Sequence, residues 1–202
     1  MTIQLYTHHL SGNSYKVQLF LSLLGLEYQL TSVDLMSGEH RQPEFLELNP
    51  LGQVPVLVDG PIIIRDAQAI LTYLARHYAN ESWLPLEAEA MGRVMQWLFL
   101  SASEIHVGLE AVRLYHLLGI SEINAEQAMQ KAKDILQIID RHLKGRLWLE
   151  LERPTIADLA CYPYIYLAPD AQIELSSYRN ICAWMEQVQD LPGYIAMSRA
   201  ST

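Results

Sequence analysis

Cysteine is scarce in this sequence: 202 residues hold only two, Cys161 and Cys182. With no Cys-x-x-Cys and no paired histidine spacing, neither a disulfide framework nor a metal site is indicated. Both thiols read as small core residues of helices, because a reactive thiolate needs an electropositive, accessible setting. Positive charge is short as well, with 14 Lys and Arg against 23 Asp and Glu and a net charge of −9. The deficit holds throughout, at 4 against 7 in residues 1–80 and 10 against 16 in residues 81–202. Without a basic face, binding to nucleic acid or to an anionic membrane has little electrostatic support. No run of apolar residues approaches 18, and the chain starts directly into the strand-like Ile3-Gln4-Leu5-Tyr6 with no basic leader. A cytoplasmic protein is expected on those grounds. What the sequence does have is apolar content, 50% of its residues, enough for a sizeable core.

Residues 1–80 change periodicity repeatedly. They read as strand 2–6, helix 13–24, strand 28–33, a short helix near 41–47, strands 54–58 and 61–64, and helix 66–78, an α/β unit of order β-α-β-α-β-β-α. Gly25 closes the first helix, and Val58-Asp59-Gly60-Pro61 is a tight hairpin turn. After Asn80 the strand signals stop. Met91, Val94, Met95, Leu98, Ala102, Ile105, Leu109 and Val112 recur at helical spacing, as do Ala125, Ala128, Met129, Ala132, Ile135, Leu136, Ile139 and Leu143. The break between these two helices falls at Gly119, with Ser121 as the expected N-cap. Further helices are expected at 156–168, 178–190 and 193–199, punctuated by Pro154, Pro169 and Pro192. The boundary lies in 80–85, dividing the chain into an α/β domain, 1–80, and an all-helical domain, 86–202.

Three stretches carry chemistry. Ser11-Gly12-Asn13-Ser14-Tyr15-Lys16-Val17 joins the first strand to the first helix, putting hydroxyls at a helix N-terminus, where free N–H groups and the macrodipole favour an anion. The same residues also suit plain helix capping. In Asn49-Pro50-Leu51-Gly52-Gln53-Val54-Pro55 a proline precedes an apolar strand. It fits an ordinary edge, or a cis Val54-Pro55 bond that turns the backbone groups of Val54 outward to pair with an extended peptide. Thr155-Ile156-Ala157-Asp158 is a capping box, assigned to folding rather than catalysis.

The Ser11 turn resembles the glutaredoxin pattern of a thioredoxin-like unit with both cysteines replaced by serine. His40-Arg41-Gln42-Pro43-Glu44-Phe45-Leu46-Glu47-Leu48-Asn49-Pro50-Leu51-Gly52-Gln53-Val54-Pro55, followed by Asp66-Ala67-Gln68-Ala69-Ile70, resembles the glutathione site of cytosolic glutathione transferases, above all the serine-using theta, phi and zeta classes. The likeness covers nearly all of residues 1–80, and in the second half it extends to the helix pattern and the capping box. It implies a thioredoxin-like domain followed by a helical bundle, a homodimer, and conjugation of glutathione, as co-substrate rather than bound cofactor, to small hydrophobic electrophiles. Other glutathione-dependent reactions on the same fold, such as peroxide or disulfide reduction, isomerisation or dehalogenation, and a non-catalytic interaction module, are the alternatives it leaves.

By that resemblance Ser11 donates to the glutathione sulfur, and His40 and Gln53 contact the glycyl end. The backbone of Val54, followed by Pro55, pairs with the cysteinyl unit, and Asp66 with the backbone of Ala67 holds the γ-glutamyl end. The family usually has serine at position 67, so one hydroxyl contact is missing. Tyr6 is read as core, and Asn13 and Ser14 stand as substitutes for Ser11 if the turn is shifted. The His8-His9 pair suggests metal only weakly, since adjacent residues of an extended chain point apart, and one or both are expected to line the pocket mouth or to be exposed.

Overall fold

The computed structural model describes residues 2–197. Four strands form one sheet in the order β2-β1-β3-β4: β1 (Ile3–Thr7), β2 (Tyr28–Ser32), β3 (Val56–Asp59) and β4 (Ile62–Arg65). β2 runs parallel to β1, with Leu5 opposite Leu30, while β3 is antiparallel to both β1 and β4. Successive residues of a strand face opposite ways, and the pairs show it. Leu5 and Leu57 are paired and enter the main core, while the next pair, Tyr6 and Val56, faces a small second cluster with Val33 and Phe45. Tyr6 meets Phe45 edge to face at 6.2 Å, as the reading of it as core requires.

Helices α1 (Gly12–Leu23) and α3 (Ala67–Tyr78) supply the main-core side of the sheet, and α2 (Pro43–Leu48) contributes Phe45 to the other side. The expected helix at 41–47 divides into a 3-10 turn, Glu39–Arg41, and α2, because Gln42 is extended and Pro43 starts a new helix. The strand expected from 54 begins at Val56.

The second half is helical. α4 (Ala88–Leu100) runs on without a break through a π-helical segment, Ser101–Glu110, into α5 (Ala111–Leu118). Gly119 ends it in the left-handed conformation. The sequence pattern indicates a plain α-helix here, so the π segment is a correction. Its apolar positions do not distinguish the two helix types, but two local features accompany the wide turn. Ser103 Oγ donates to the carbonyl of Phe99 at 2.8 Å, and Gly108 lets α6 (Ala125–His142) come so close that a methyl group there would lie 3.0 Å from the Ala132 nitrogen. The N-cap of α6 is Asn124, which accepts from the Gln127 N–H, and not Ser121: residues 121–123 form a turn first.

α7 (Ile156–Tyr166) is the central post, with every residue from 156 to 165 buried, packed against α1, α3 and α4. Its capping box is present, and the buried Asp158 carboxylate also accepts from Leu149 N–H and from Trp184 Nε1, both at 2.9 Å. Trp184 comes from α8 (Arg179–Gln189). Residues 193–197 form no helix, against expectation: Tyr194 to Met197 run as irregular chain held by Tyr15 Oη donating to the Ile195 carbonyl. The rest of that expected helix lies outside the described residues. Cys161 is buried in α7 and Cys182 half-buried in α8. Among the described residues no helix is long and apolar enough to cross a membrane.

Candidate active site

A cleft of about 510 Å³ opens between the two halves. Its first wall starts at Ser11, the N-cap of α1, whose Oγ accepts the Ser14 N–H at 3.1 Å. A hydroxyl that accepts one bond keeps its own hydrogen to donate, so capping and a bond to a ligand coexist on this atom. Gly12 is required behind it, since a methyl group there would lie 2.8 Å from the Tyr164 ring of α7. Ser14 is buried and does not line the cleft, which removes it as a substitute for Ser11; Asn13 lines the cleft. His8 and His9 both line the cleft, their rings 4.5 Å apart. Burial and the charge of His9 lower the His8 pKa, and the neutral ring accepts from Leu10 N–H at 3.3 Å.

The next part of the wall is the loop at 49–55. Buried Asn49 holds it, donating to the Gln53 carbonyl at 2.7 Å and accepting from Leu51 N–H at 3.0 Å. That leaves the Gln53 side chain exposed at the cleft. Gly52, at φ +60°, fits against the His40 carbonyl, which a methyl group would approach to 2.9 Å. His40 lines the same cleft, with Nδ1 buried and lacking a partner while Nε2 accepts from Arg41. The Val54-Pro55 peptide is cis, and among the described residues neither backbone group of Val54 is used in a hydrogen bond. Asp66, at φ +74°, caps α3 by accepting from Gln68 and Ala69 N–H through Oδ1. The N–H of Ala67, at the first helical position, is left as the unpaired donor at the cleft.

The second wall is made of side chains on the π segment and α5. Ser101 and Glu110 are nine residues apart; at the ~100° per residue of an α-helix they would face opposite ways, whereas roughly 80° per residue in a π-helix returns them to one side. Both face α1. Ser101 Oγ accepts from Lys16 Nζ at 2.9 Å and donates to the Ala160 carbonyl at 2.6 Å. Lys16 also donates to Asn13 Oδ1 at 2.8 Å, and Asn13 Nδ2 donates to Glu110 Oε1 at 3.4 Å. Glu110 Oε2 is 2.9 Å from His106 Nδ1. Lys16 is completely buried beneath the Tyr164 ring, and that burial, only partly offset by Glu110, brings its pKa down to about 8. Burial pushes the Glu110 carboxyl up, but hydrogen bonds from His106 and Tyr164 and the charge of Lys16 outweigh it and hold the carboxyl below its usual range. The His106 ring is correspondingly raised by its bond to Glu110. Arg113 on α5 ties the walls together, with Nη1 on the Leu10 carbonyl at 2.8 Å and Nε on Asp170 at 3.0 Å. Leu114, Leu117 and Leu118 complete an apolar end.

All seven positions singled out by sequence, Ser11, His40, Gln53, Val54, Pro55, Asp66 and Ala67, line this one cleft. Sequence reasoning missed Lys16, His106, Glu110, Arg113 and Tyr164. The available signals were a lysine inside the otherwise apolar run of α1 and a His-Glu pair at i,i+4, both of which read by default as solvated helix faces. Among the described residues no group of three His, Cys, Asp or Glu is placed to hold a metal ion.

Comparison with known proteins agrees with this architecture. The family model "Glutathione S-transferase, N-terminal domain" matches residues 1–76, and "Glutathione S-transferase, C-terminal domain" matches 91–192. Glutathione S-transferase 3 of Zea mays is 30% identical over 95% of this chain and 91% of its own length. The disulfide-bond oxidoreductase YfcG of Escherichia coli is 28% identical over 89% and 87%. Among solved structures, a possible glutathione S-transferase from Rhodopseudomonas palustris superposes with a TM-score of 0.91 at 31% identity, covering 100% of both chains.

Proposed function

The chain belongs to the glutathione S-transferase family, and on that premise we propose that it joins the thiolate of glutathione to small hydrophobic electrophiles, with Ser11 holding the sulfur. The observation that carries this reading is the Ser11 hydroxyl: it caps α1 as an acceptor, keeps its hydrogen, and opens on the cleft beside a helix N-terminus. A free thiol with pKa near ~8.5 is about 3% ionised at neutral pH, and lowering that value by about two units corresponds to about 2.7 kcal/mol. A hydrogen bond to a charged atom and a helix end together are of that size.

The remaining contacts follow from the free groups along the wall. The unbonded N–H and C=O of Val54, beside Pro55, pair with the cysteinyl unit as an added strand would. His40 and the Gln53 amide take the glycyl carboxylate, and the Ala67 N–H with Asp66 takes the γ-glutamyl end. The electrophile occupies the leucine-lined end on α5. The enzyme is then a cytoplasmic homodimer that uses glutathione as co-substrate and needs no bound cofactor. Disulfide reduction is the second reading, on the strength of the relative named a disulfide-bond oxidoreductase. Neither Cys161 nor Cys182 lines the cleft, so that chemistry would have to run through glutathione thiols alone.

Ser11→Ala tests the assignment. Its kcat with a chlorodinitrobenzene at neutral pH should fall by up to about twentyfold, with glutathione affinity by calorimetry unchanged within a few-fold, because the lost bond favours the thiolate rather than the whole tripeptide. Tyr6→Phe should keep its activity. A tyrosine variant that is dead beside a serine variant that is active would overturn the choice of thiol activator, and faster turnover of a glutathione-mixed disulfide than of any electrophile would favour the second reading.

A further inference from the structure

Four Arg, Asp or Glu side chains line the cleft, and three of them already have partners within the protein. Arg113 is held by Asp170, Glu110 by His106 and Asn13, and Asp66 caps α3 through Oδ1. The fourth, Arg65, is exposed, and its side chain makes no ion pair or hydrogen bond with the described residues. In a chain with 23 Asp and Glu against 14 Lys and Arg, a cleft-lining cation without an acidic partner is the exception. Arg65 ends β4 opposite Val56, and the next residue, Asp66, leaves the strand conformation at φ +74°. That break in the alternation of faces lets two consecutive side chains, one of each sign, line the same cleft.

The γ-glutamyl end of glutathione carries an ammonium and a carboxylate on one carbon. Asp66 matches the ammonium and repels the carboxylate, which therefore needs donors of its own. The Ala67 N–H is one, and the Ala67 side chain, a methyl group, adds none. We propose that Arg65 supplies the rest: its guanidinium pairs with the γ-glutamyl carboxylate beside the Ala67 N–H, and so makes the cleft selective for thiols that carry that carboxylate. The inference rests on the placement of glutathione in the transferase reading above and adds a contact which that reading does not use. Two N–H groups of the planar guanidinium match the two carboxylate oxygens. A carboxylate offers about four acceptor directions, enough for this fork, the Ala67 N–H and one further donor. The γ-glutamyl carboxylate takes no part in the reaction at sulfur, so Arg65 is a specificity residue rather than a catalytic one.

The test is calorimetric titration of the wild type, Arg65→Gln and Arg65→Lys with glutathione and with 4-aminobutanoyl-cysteinylglycine, which differs from glutathione only in lacking that carboxylate. Arg65→Gln should bind glutathione about tenfold more weakly than the wild type does, the size of a hydrogen-bonded charge pair, and should bind the aminobutanoyl compound within about twofold of the wild type. Arg65→Lys, which keeps the charge and loses the fork, should recover part of the loss. Added salt should weaken glutathione binding more in the wild type than in Arg65→Gln, because the pair lies in reach of solvent. A change of fold or packing would weaken the two thiols alike, so the comparison separates recognition from structure. Equal losses for the two thiols in Arg65→Gln, no loss for glutathione, or a wild type that binds the two thiols equally well would overturn the role of Arg65. A wild type that binds neither thiol would instead refute the transferase reading beneath it.

Discussion

The wall contributed by residues 8–68 presents its polar groups through chain geometry, whereas the wall contributed by residues 101–118 presents them through side-chain charge. On the first, the working groups are a helix-capping hydroxyl, an unpaired N–H at the start of α3 and the open backbone of Val54. On the second they are His106, Glu110 and Arg113, tied to Asn13, Lys16 and Leu10 of the first half by packing elements far apart in sequence. A wall of the first kind tolerates side-chain change so long as the backbone holds its course. A wall of the second kind stands or falls by individual residues, because a buried charge without its partner is costly.

The largest expected effect follows from that contrast. Arg113→Met leaves Asp170, whose side chain is 7% exposed, without its cation, and should lower folding stability by about 3–5 kcal/mol in urea unfolding. Ser11→Ala, a lost helix cap on the other wall, should cost about 1 kcal/mol. Similar losses for the two would erase the distinction between the walls.

Lys16 sharpens it by pH. The folded chain releases the Lys16 proton near pH 8, the unfolded chain only near 10.5. Between those values the unfolded state holds the extra proton, so this residue makes stability rise with pH, by up to about 1.4 kcal/mol per unit. From pH 7.5 to 9.5 the wild type should gain about 2 kcal/mol relative to Lys16→Met, read from paired denaturant curves. Parallel curves would mean that the ammonium is solvated in the folded protein.

The smallest effect belongs to the backbone wall. Ala67→Ser adds a hydroxyl beside the free N–H at the start of α3 and should tighten glutathione binding about tenfold by calorimetric titration. Equal or weaker binding would show that a water or another group already fills that place, or that the γ-glutamyl end is held elsewhere.

The same division decided what was legible in the sequence. Ser11, the run from His40 to Pro55 and the Asp66-Ala67 pair belong to short contiguous motifs whose turns are set locally by glycine, proline and capping residues, so their convergence on one cleft could be expected. Lys16 could not be read as buried, because a lysine on a helix is ordinarily solvated, and only the closing of Tyr164 and Ser101 over it removes the water. The π segment was hidden for a similar reason. Apolar residues three and four apart serve either helix type, and the choice shows only where Gly108 meets α6 and where Ser101 and Glu110 face α1 together. At the far end, Pro192 reads as punctuation before a helix at 193–199. There the backbone of Gly193 is instead taken into close contact with α1, its carbonyl accepting from Ser22 Oγ at 2.7 Å.

The main core has a bearing on ancestry. One continuous apolar cluster runs from Ile3 and Leu5 through Phe20 and Leu71 to Ile156, Tyr162 and Trp184, and α7 touches both α1 and α3. The two family matches, 1–76 and 91–192, therefore share one core. Recombination that exchanged one half for a cousin's would have to bring a matching α7 surface with it. Such chimaeras should survive only between lineages whose α1, α3 and α7 have diversified in step, which ties the evolution of the electrophile pocket to that of the first half of the chain.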